Sequence, residues 1–297
     1  MPVQNLECND SSHPDVMAIK INSPLQLSDA GLSPTYSVMA TDEYGLPQEK
    51  HIAGEKPLTI YVNKKEIVTL MTLGTQPEAL VLGYLRNQGF INNINEIKSV
   101  QVDWETESAA VVTQSEHNWD DKLSQRTITS GCGQGTVFGN MMEQLDSINI
   151  QSFNTRQSTI YALLHNISKQ NEVYKRAGGV HGCALCKNDE QLIFVEDVGR
   201  HNAVDTISGL MWLNDIRGED KTFYTTGRLT SEMVIKVAQM NVPVLLSRSG
   251  ITQMGLSIAQ QLGVTLIARA KGKHFLIFNG AENITLDAQP PYTRKKS

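Results

Sequence analysis

Apolar and polar positions along the first half of the chain predict a hairpin, a helix and two more strands. Residues 58–62 and 66–72 alternate as strands do, with a short polar turn between them. A segment of helical spacing follows between Pro77 and Gly89, and Thr75 is placed to be its N-cap. Two further strands complete a β-β-α-β-β order, over 97–104 and 109–113.

The second half of the chain alternates between strand-like and helix-like segments. Strands joined by helices at such spacing form right-handed crossovers, and the helices then cover both faces of the sheet. The pattern therefore predicts an α/β fold, a three-layer sandwich with a mainly parallel mixed sheet. The predicted strands are 192–195, 223–226, 242–246, 264–268 and 275–278, and the predicted helices are 159–167, 203–211, 231–240 and 252–262.

These patterns divide the chain into four parts. Residues 1–56 have weak periodicity, which predicts an extended arm with one or two edge strands. Residues 57–127 are predicted to form a small α+β subdomain, and residues 128–280 the α/β domain. Residues 281–297 end in a basic, polar stretch that predicts a solvated tail.

Composition and charge narrow the class of protein. Of the 297 residues, 40% are hydrophobic and 19% are charged, which is typical of a folded globular protein. The net charge of −5 gives no overall attraction for nucleic acid. The N-terminus lacks the features of a signal peptide, and no apolar run approaches the ~20 residues needed to span a bilayer. We therefore expect a cytoplasmic protein with no nucleic-acid or membrane partner.

One of the four cysteines, Cys132, lies in a run of small flexible residues, TSGCGQGT. Its neighbours Gly131 and Gly133 have no Cβ atoms to shield the thiol, and they allow backbone angles that other residues avoid. A structural cysteine more often lies among apolar residues. Cys132 is therefore a candidate reactive thiol, although glycines also flank cysteines in plain turns.

The segment HGCALC places His181, Cys183 and Cys186 close together. These residue types bind zinc, and a Cys-x-x-Cys pair can also be a redox centre. A structural zinc site usually has two ligand pairs, and only one is visible here. The alternative is that both cysteines are small core residues on a strand.

Three polar clusters are predicted to follow strands, at 196–202, 226–228 and 247–250. In open α/β sheets, chemistry usually lies at the carboxyl ends of strands. The first cluster brings carboxylates, an arginine and a histidine together, which could orient a substrate or tune a thiol. Equally, Asp197 could cap the next helix and pair with Arg200, which is a structural role.

A positively charged turn is predicted between the last two strands. Its lysines and arginine can form charge-assisted hydrogen bonds with phosphate or pyrophosphate, and its glycine lets the backbone approach a ligand. Alternatively, it is an ordinary solvated turn. We call this segment the basic turn; it consists of Arg269, Ala270, Lys271, Gly272, Lys273 and His274.

The segment EDVGRHNAVD, residues 196–205, resembles the signature of the FdhD family of formate dehydrogenase accessory sulfurtransferases. The similarity extends over about residues 55–280. It includes the basic turn and further segments at 178–181, 227–234, 243–245 and 263–266.

This resemblance implies a sulfur carrier protein. Family members receive sulfur from a cysteine desulfurase as a persulfide. They pass it to the bis-guanine-dinucleotide form of the molybdenum cofactor, which is then inserted into the formate dehydrogenase catalytic subunit. By this resemblance Cys132 carries the persulfide and the basic turn contacts the cofactor. The resemblance also implies a homodimer, a larger domain similar to the cytidine deaminase fold, and no tightly held metal.

The sequence departs from the family pattern at two places. Gly135 stands where the family has a second loop cysteine, and Cys183 and Cys186 add thiols elsewhere. Two other functions are kept as alternatives to the sulfur carrier. One is a zinc-dependent, deaminase-like hydrolase that uses His181, Cys183 and Cys186, and the other is a cofactor-binding chaperone with no chemistry of its own.

Overall fold

The computed structural model describes residues 25–115, 127–128, 135–136, 145 and 148–290. The N-terminal part contains, in chain order, β1 (Gln26–Leu27), β2 (Thr35–Thr41), β3 (Pro47–Ala53), β4 (Lys56–Val62), β5 (Lys65–Thr72), α1 (Pro77–Asn87), β6 (Ile97–Asp103) and β7 (Ser108–Thr113). The remaining strands are β8 (Thr127–Ile128), β9 (Gly135–Thr136), β10 (Thr155–Arg156), β11 (His181–Lys187), β12 (Glu190–Asp197), β13 (Thr222–Thr225), β14 (Val244–Ser247), β15 (Thr265–Lys271), β16 (His274–Asn279) and β17 (Ile284–Thr285). The remaining helices are α2 (Gln157–Ile167), α3 (Glu172–Ala177), α4 (Arg200–Leu213), α5 (Ser231–Gln239) and α6 (Gln253–Leu262).

The first sheet has the strand order β1-β6-β7-β4-β5 and confirms the predicted β-β-α-β-β segment. β4 and β5 form a hairpin whose turn residues, Asn63 and Lys64, have φ of 47° and 71°, as tight hairpin turns require. α1 begins at Pro77, and Gly89 follows it with φ of 68°. The prediction that Thr75 is the N-cap is wrong by one residue, because Gln76 occupies that position.

Part of the predicted N-terminal arm folds as a hairpin. β2 and β3 pair antiparallel in a two-stranded sheet, and most of their side chains are exposed on both faces. The absence of a buried face explains why the sequence pattern there is weak.

The second sheet has the order β12-β11-β13-β14-β15-β16 and is mixed. Parallel pairing joins β13 to β14 and β14 to β15, while the other neighbours in this sheet are antiparallel. The prediction of a mainly parallel sheet was therefore wrong outside these central strands. The reason is that β11–β12 and β15–β16 are joined by two-residue turns, which can connect only antiparallel strands.

Alternating side chains of the second sheet enter two separate hydrophobic clusters. On one face, Cys183, Phe223 and Leu245 pack with residues of α1, α4, α5 and α6. On the other face, Cys186 and Leu246 pack with residues of α2. Helices therefore cover both faces of this sheet.

Candidate functional site

The carboxyl ends of four strands meet at one edge of the second sheet. β12 to β15 all point the same way, because β11 is antiparallel to both β12 and β13, and β13, β14 and β15 are parallel. This edge therefore carries the polar clusters at 196–202, 226–228 and 247–250, together with the start of the basic turn. The prediction that these clusters follow strand ends is confirmed. β11 begins at the same edge, which places His181 beside them.

A cavity of about 330 Å³ opens at this edge, and we call it the edge cavity. Hydrogen bonds in both directions join two of its walls. The Thr226 amide donates to the Gly182 carbonyl at 2.9 Å, and the Gly182 amide donates to Thr226 Oγ1 at 3.0 Å. The residues lining the cavity are Asn171, Tyr174, Val180, His181, Gly182, Thr226, Arg248 and Ser249.

The imidazole of His181, which lines the edge cavity, has a lowered pKa. Burial lowers this pKa, and the charges of Arg200 and Arg228 lower it further. The ring is therefore neutral near pH 7 and can both donate and accept a hydrogen bond. Its Nδ1 lies 3.5 Å from Thr226 Oγ1.

A second cavity, of about 430 Å³, adjoins the first and is called the turn cavity here. Asn171, Tyr174 and Arg248 line both cavities, so these three residues form the wall between them. Cationic side chains are concentrated around the turn cavity, and such groups suit an anionic ligand. The other residues lining it are Leu164, Ser168, Lys175, Tyr224, Ala270, Lys271 and Gly272.

The structure divides the basic turn between several surroundings. Ala270, Lys271 and Gly272 line the turn cavity. Of these three, Ala270 is nearly fully buried and also packs in the cluster that contains α2. Lys273 and His274 line a different cavity, of about 420 Å³, together with residues of α2 and β16. The six residues are therefore not brought to one ligand-facing surface.

Arg269 has an uncommon backbone conformation, with φ of 55°. It lies where the register of β15 and β16 shifts, which marks a bulge that redirects the side chain. The Arg269 amide donates to the Ser249 carbonyl at 2.9 Å, which fixes the bulge to the loop after β14. A Cβ built on Gly250 would lie 3.9 Å from Arg269 Nε, so the guanidinium lies over that glycine.

Asp197 of the signature segment has a structural role. Its Oδ2 accepts hydrogen bonds from Thr72 Oγ1 at 2.6 Å and from the Leu73 amide at 3.1 Å. Its Oδ1 accepts from the Gly199 amide and from Asn202 Nδ2. The carboxylate therefore joins the first sheet to the residues at the start of α4. The expectation that Asp197 caps this helix is wrong, because Gly199 occupies the N-cap position and no side chain caps it.

A buried chain of charged residues lies behind the edge. Lys236 Nζ is 2.8 Å from Asp205 Oδ2 and 3.2 Å from Glu232 Oε1, and Glu232 Oε2 is 3.4 Å from His201 Nδ1. Burial opposes the charge on Lys236, but Asp205 and Glu232 outweigh it and raise the Lys236 pKa. Burial lowers the pKa of His201 to about 3, so this imidazole is neutral.

Cys183 and Cys186 face opposite sides of β11, in the two different hydrophobic clusters. Burial raises the pKa of each thiol to about 12, and Cys183 Sγ donates to Thr225 Oγ1 at 3.2 Å. The two thiols cannot therefore bind one zinc ion with His181 or act as a redox pair, so these two interpretations are wrong. The alternative, that both cysteines are core residues on a strand, is confirmed. Within the described ranges, no three His, Cys, Asp or Glu side chains are grouped as a metal site would need.

Cys132 lies outside the described residues. The strands on either side of it in sequence, β8 and β9, pair antiparallel, with Thr127 opposite Thr136 and Ile128 opposite Gly135. Cys132 therefore belongs to the segment that connects two paired strands.

Asn171 and Tyr174 are cavity residues that the sequence did not single out. They lie at the start of α3 and within it, and α3 is too short to show a helical pattern in the sequence. Arg248 was included in a polar cluster, but nothing in the sequence distinguished it from its neighbours. Its position after a central parallel strand was the available signal.

The fold and this edge define a mixed α/β protein with a cation-lined cavity at the carboxyl ends of its strands. A family model described as "FdhD/NarQ family" matches residues 53–285. The chain belongs to the FdhD/NarQ family. None of the helices among the described residues combines the length and apolar character needed to cross a bilayer.

Several curated relatives have the same name, "Sulfur carrier protein FdhD". The protein from Listeria monocytogenes serotype 4b is 32% identical over 241 residues, which is 80% of this chain and 92% of the relative. That of Bacillus pumilus is 33% identical over 242 residues, covering 79% of this chain and 90% of the relative. A crystal structure described as a formate dehydrogenase accessory protein from Desulfotalea psychrophila aligns with a TM-score of 0.68 and 27% identity. That alignment covers 84% of this chain and 98% of the other.

Proposed function

We propose that this protein is a sulfurtransferase that carries sulfur for the maturation of formate dehydrogenase. It receives sulfur from a cysteine desulfurase as a persulfide on Cys132. It passes that sulfur to the bis-guanine-dinucleotide molybdenum cofactor, which is its cargo, before insertion into the formate dehydrogenase catalytic subunit. We propose that it acts in the cytoplasm as a homodimer. Family membership and the name shared by the relatives support the carrier role.

The loading step is a thiol exchange on sulfur. The Cys132 thiolate attacks the terminal sulfur of the desulfurase persulfide, and the bond between the two donor sulfurs breaks. The donor cysteine leaves as a thiolate, and Cys132 now carries the terminal sulfur. Electrons and atoms balance with no added oxidant or reductant.

Burial of two other cysteines supports the assignment of the persulfide to Cys132. Cys183 and Cys186 are both fully buried and their thiol pKa values are raised to about 12. A thiol in that state is almost wholly protonated at neutral pH and cannot be reached by a protein donor. Cys8 and Cys132 remain as candidates, and the family pattern selects Cys132.

The single observation that carries the cargo assignment is the convergence of cations on the two adjoining cavities. Arg248 lines both, and Lys175 and Lys271 line the turn cavity. A dinucleotide cofactor carries pyrophosphate, which arginine and lysine bind through charge-assisted hydrogen bonds. Tyr174 offers an aromatic ring at the same wall, and planar rings stack on such side chains. The residues present therefore fit the chemistry of this cargo.

Cells that lack their own carrier test this proposal. The wild-type chain should restore formate dehydrogenase activity, and Cys132→Ala should not. Cys183→Ser and Cys8→Ala are matched controls, because each removes one thiol elsewhere, and both should restore activity. If Cys132→Ala restores activity as well as wild type, the protein is a cofactor-binding chaperone without sulfur chemistry.

A further inference from the structure

Two of the three residues in the wall between the cavities lie on one short helix: Asn171 is the N-cap of α3 and Tyr174 lies within it. α3 is only six residues long. A helix of this length is not stable by itself, because nucleation costs more than its few hydrogen bonds return. Two glycines with positive φ follow it, Gly178 at 67° and Gly179 at 68°. The position of Tyr174 on this helix must therefore be fixed by contacts to the rest of the molecule.

Glu196 makes the most specific of these contacts. Its Oε2 accepts the Val173 amide proton at 2.9 Å, and its Oε1 accepts the Tyr174 amide proton at 3.0 Å. Both carboxylate oxygens are thus engaged by the first turn of α3. Hydrogen bonds to an ionised acceptor are stronger than those between neutral groups.

The surface beneath α3 is shaped to receive it. Gly182 pairs with Glu196 across β11 and β12. A Cβ at Gly182 would lie 3.2 Å from Asn171 Oδ1 and 3.1 Å from Phe194 Cζ, so a side chain there would press against the start of α3. Asn171 Nδ2 also donates to the Ile167 carbonyl at 3.2 Å, which ties the start of α3 to α2.

The outer side of α3 contacts the β2–β3 hairpin. Arg176 Nη2 lies 3.1 Å from His51 Nε2, which belongs to β3. α3 is therefore held on its inner side by Glu196 and on its outer side by the hairpin. Tyr174 stays 53% exposed, so its ring is presented to the cavities and to solvent and is not buried in the core.

We propose that Glu196 is a positioning residue for ligand capture, which acts by holding Tyr174 at the wall shared by the edge cavity and the turn cavity. Tyr174 contacts the ligand, and Glu196 does not. This inference rests on the proposed function, because it takes these cavities to be the site of the nucleotide cargo. It assigns to the first residue of the signature segment a role distinct from that of Asp197, which joins the two sheets.

A double-mutant cycle on the full chain tests this role, with guanosine diphosphate as the probe for one nucleotide half of the cargo. Glu196→Gln keeps the shape of the side chain but presents an amide N–H to a backbone N–H, so one hydrogen bond is lost. We expect Glu196→Gln and Tyr174→Ala each to weaken binding by about tenfold, measured by calorimetry. In the Tyr174→Ala background, Glu196→Gln should have no further effect, because it acts through the missing ring.

Glu190→Gln is the matched control, because Glu190 is exposed at the opposite end of β12. It should bind the probe as wild type does. The positioning role is overturned if Glu196→Gln binds normally, or if the two effects multiply in the double variant. Sulfur loading of Cys132 is measured on the same proteins. If Cys132 does not load sulfur but the effects of Glu196→Gln and Tyr174→Ala on probe binding are non-additive, the carrier function is refuted and the positioning role is not.

Discussion

Gly83 of α1 and Gly209 of α4 lie against each other where the two helices cross. A Cβ on Gly83 would lie 1.7 Å from the Asp205 carbonyl oxygen, and one on Gly209 would lie 1.9 Å from the Ala79 carbonyl oxygen. The two backbones therefore touch with no room for a side chain. This crossing packs the first sheet and its helix onto the helices that cover the second sheet.

We expect Gly83→Ala to lower the free energy of unfolding by about 3 kcal/mol, because the helices must separate to admit one methyl group. The control is Gly250→Ala, where the nearest atom to a new Cβ is 3.9 Å away. Chemical denaturation of both variants measures the difference. Equal stability of the two variants would show that the helices do not cross at these glycines.

Lys236 is fully buried between Asp205 and Glu232. Replacing it with methionine leaves two carboxylates buried without their cation, so Lys236→Met should cost roughly 3–5 kcal/mol of stability. The control is Lys187→Met, since Lys187 forms an exposed ion pair with Asp220 at 3.0 Å, and a change of at most about 1 kcal/mol is expected. A tolerated Lys236→Met would contradict the buried charge chain.

His201 makes stability depend on pH. Its pKa is lowered by burial from 6.5 to about 3 in the folded protein, so the unfolded chain binds the proton first as pH falls. His201 therefore contributes a loss of stability as pH drops from about 6.5 towards 3, with a slope near 1.4 kcal/mol per pH unit.

The measurement for His201 is a difference between two proteins. Burial raises the pKa of Asp197, so this carboxyl binds its proton more readily in the folded protein and its contribution to stability increases as pH falls. This effect is opposite to that of His201, so the pH dependence of wild type alone does not isolate the histidine. His201→Asn retains an N–H donor towards Glu232 but does not titrate. Its unfolding free energy should fall less between pH 6.5 and 4 than that of wild type, and parallel curves would refute the neutral buried imidazole.

The sequence was sufficient to predict elements whose pattern reflects burial. The β4–β5 hairpin, α1 between Pro77 and Gly89, and the strand-end clusters all follow from local pattern and turn chemistry. The sequence could not show which way the signature residues face. Asp197 turns inward to Thr72 and Leu73, which are more than 120 residues away along the chain. Such a contact has no local signal.

The basic turn shows a second limit of sequence reasoning. Six consecutive residues suggested one anion-binding surface, but residues 270–272 line the turn cavity, and Lys273 and His274 line a different one. The division falls at the two-residue turn between β15 and β16, where the chain reverses direction. Tyr174 and Asn171 were missed because α3 depends on tertiary contacts, with Glu196 and with the β2–β3 hairpin, for its stability.

Cys183 and Cys186 should resist alkylation in the folded protein. Their raised thiol pKa and full burial leave almost no thiolate at pH 8 and no path for the reagent. Iodoacetamide followed by peptide mass spectrometry should find both unmodified until denaturant is added. Rapid modification of either residue in the native protein would contradict the assignment of both to the core.

The persulfide on Cys132 is the most direct test of the account. The full chain is incubated with a cysteine desulfurase and cysteine, and its peptides are then analysed by mass spectrometry under non-reducing conditions. We predict one added sulfur on the Cys132 peptide, the same addition in Cys183→Ser and Cys186→Ser, and none in Cys132→Ala. An equal load of sulfur on Cys132→Ala would contradict the central claim.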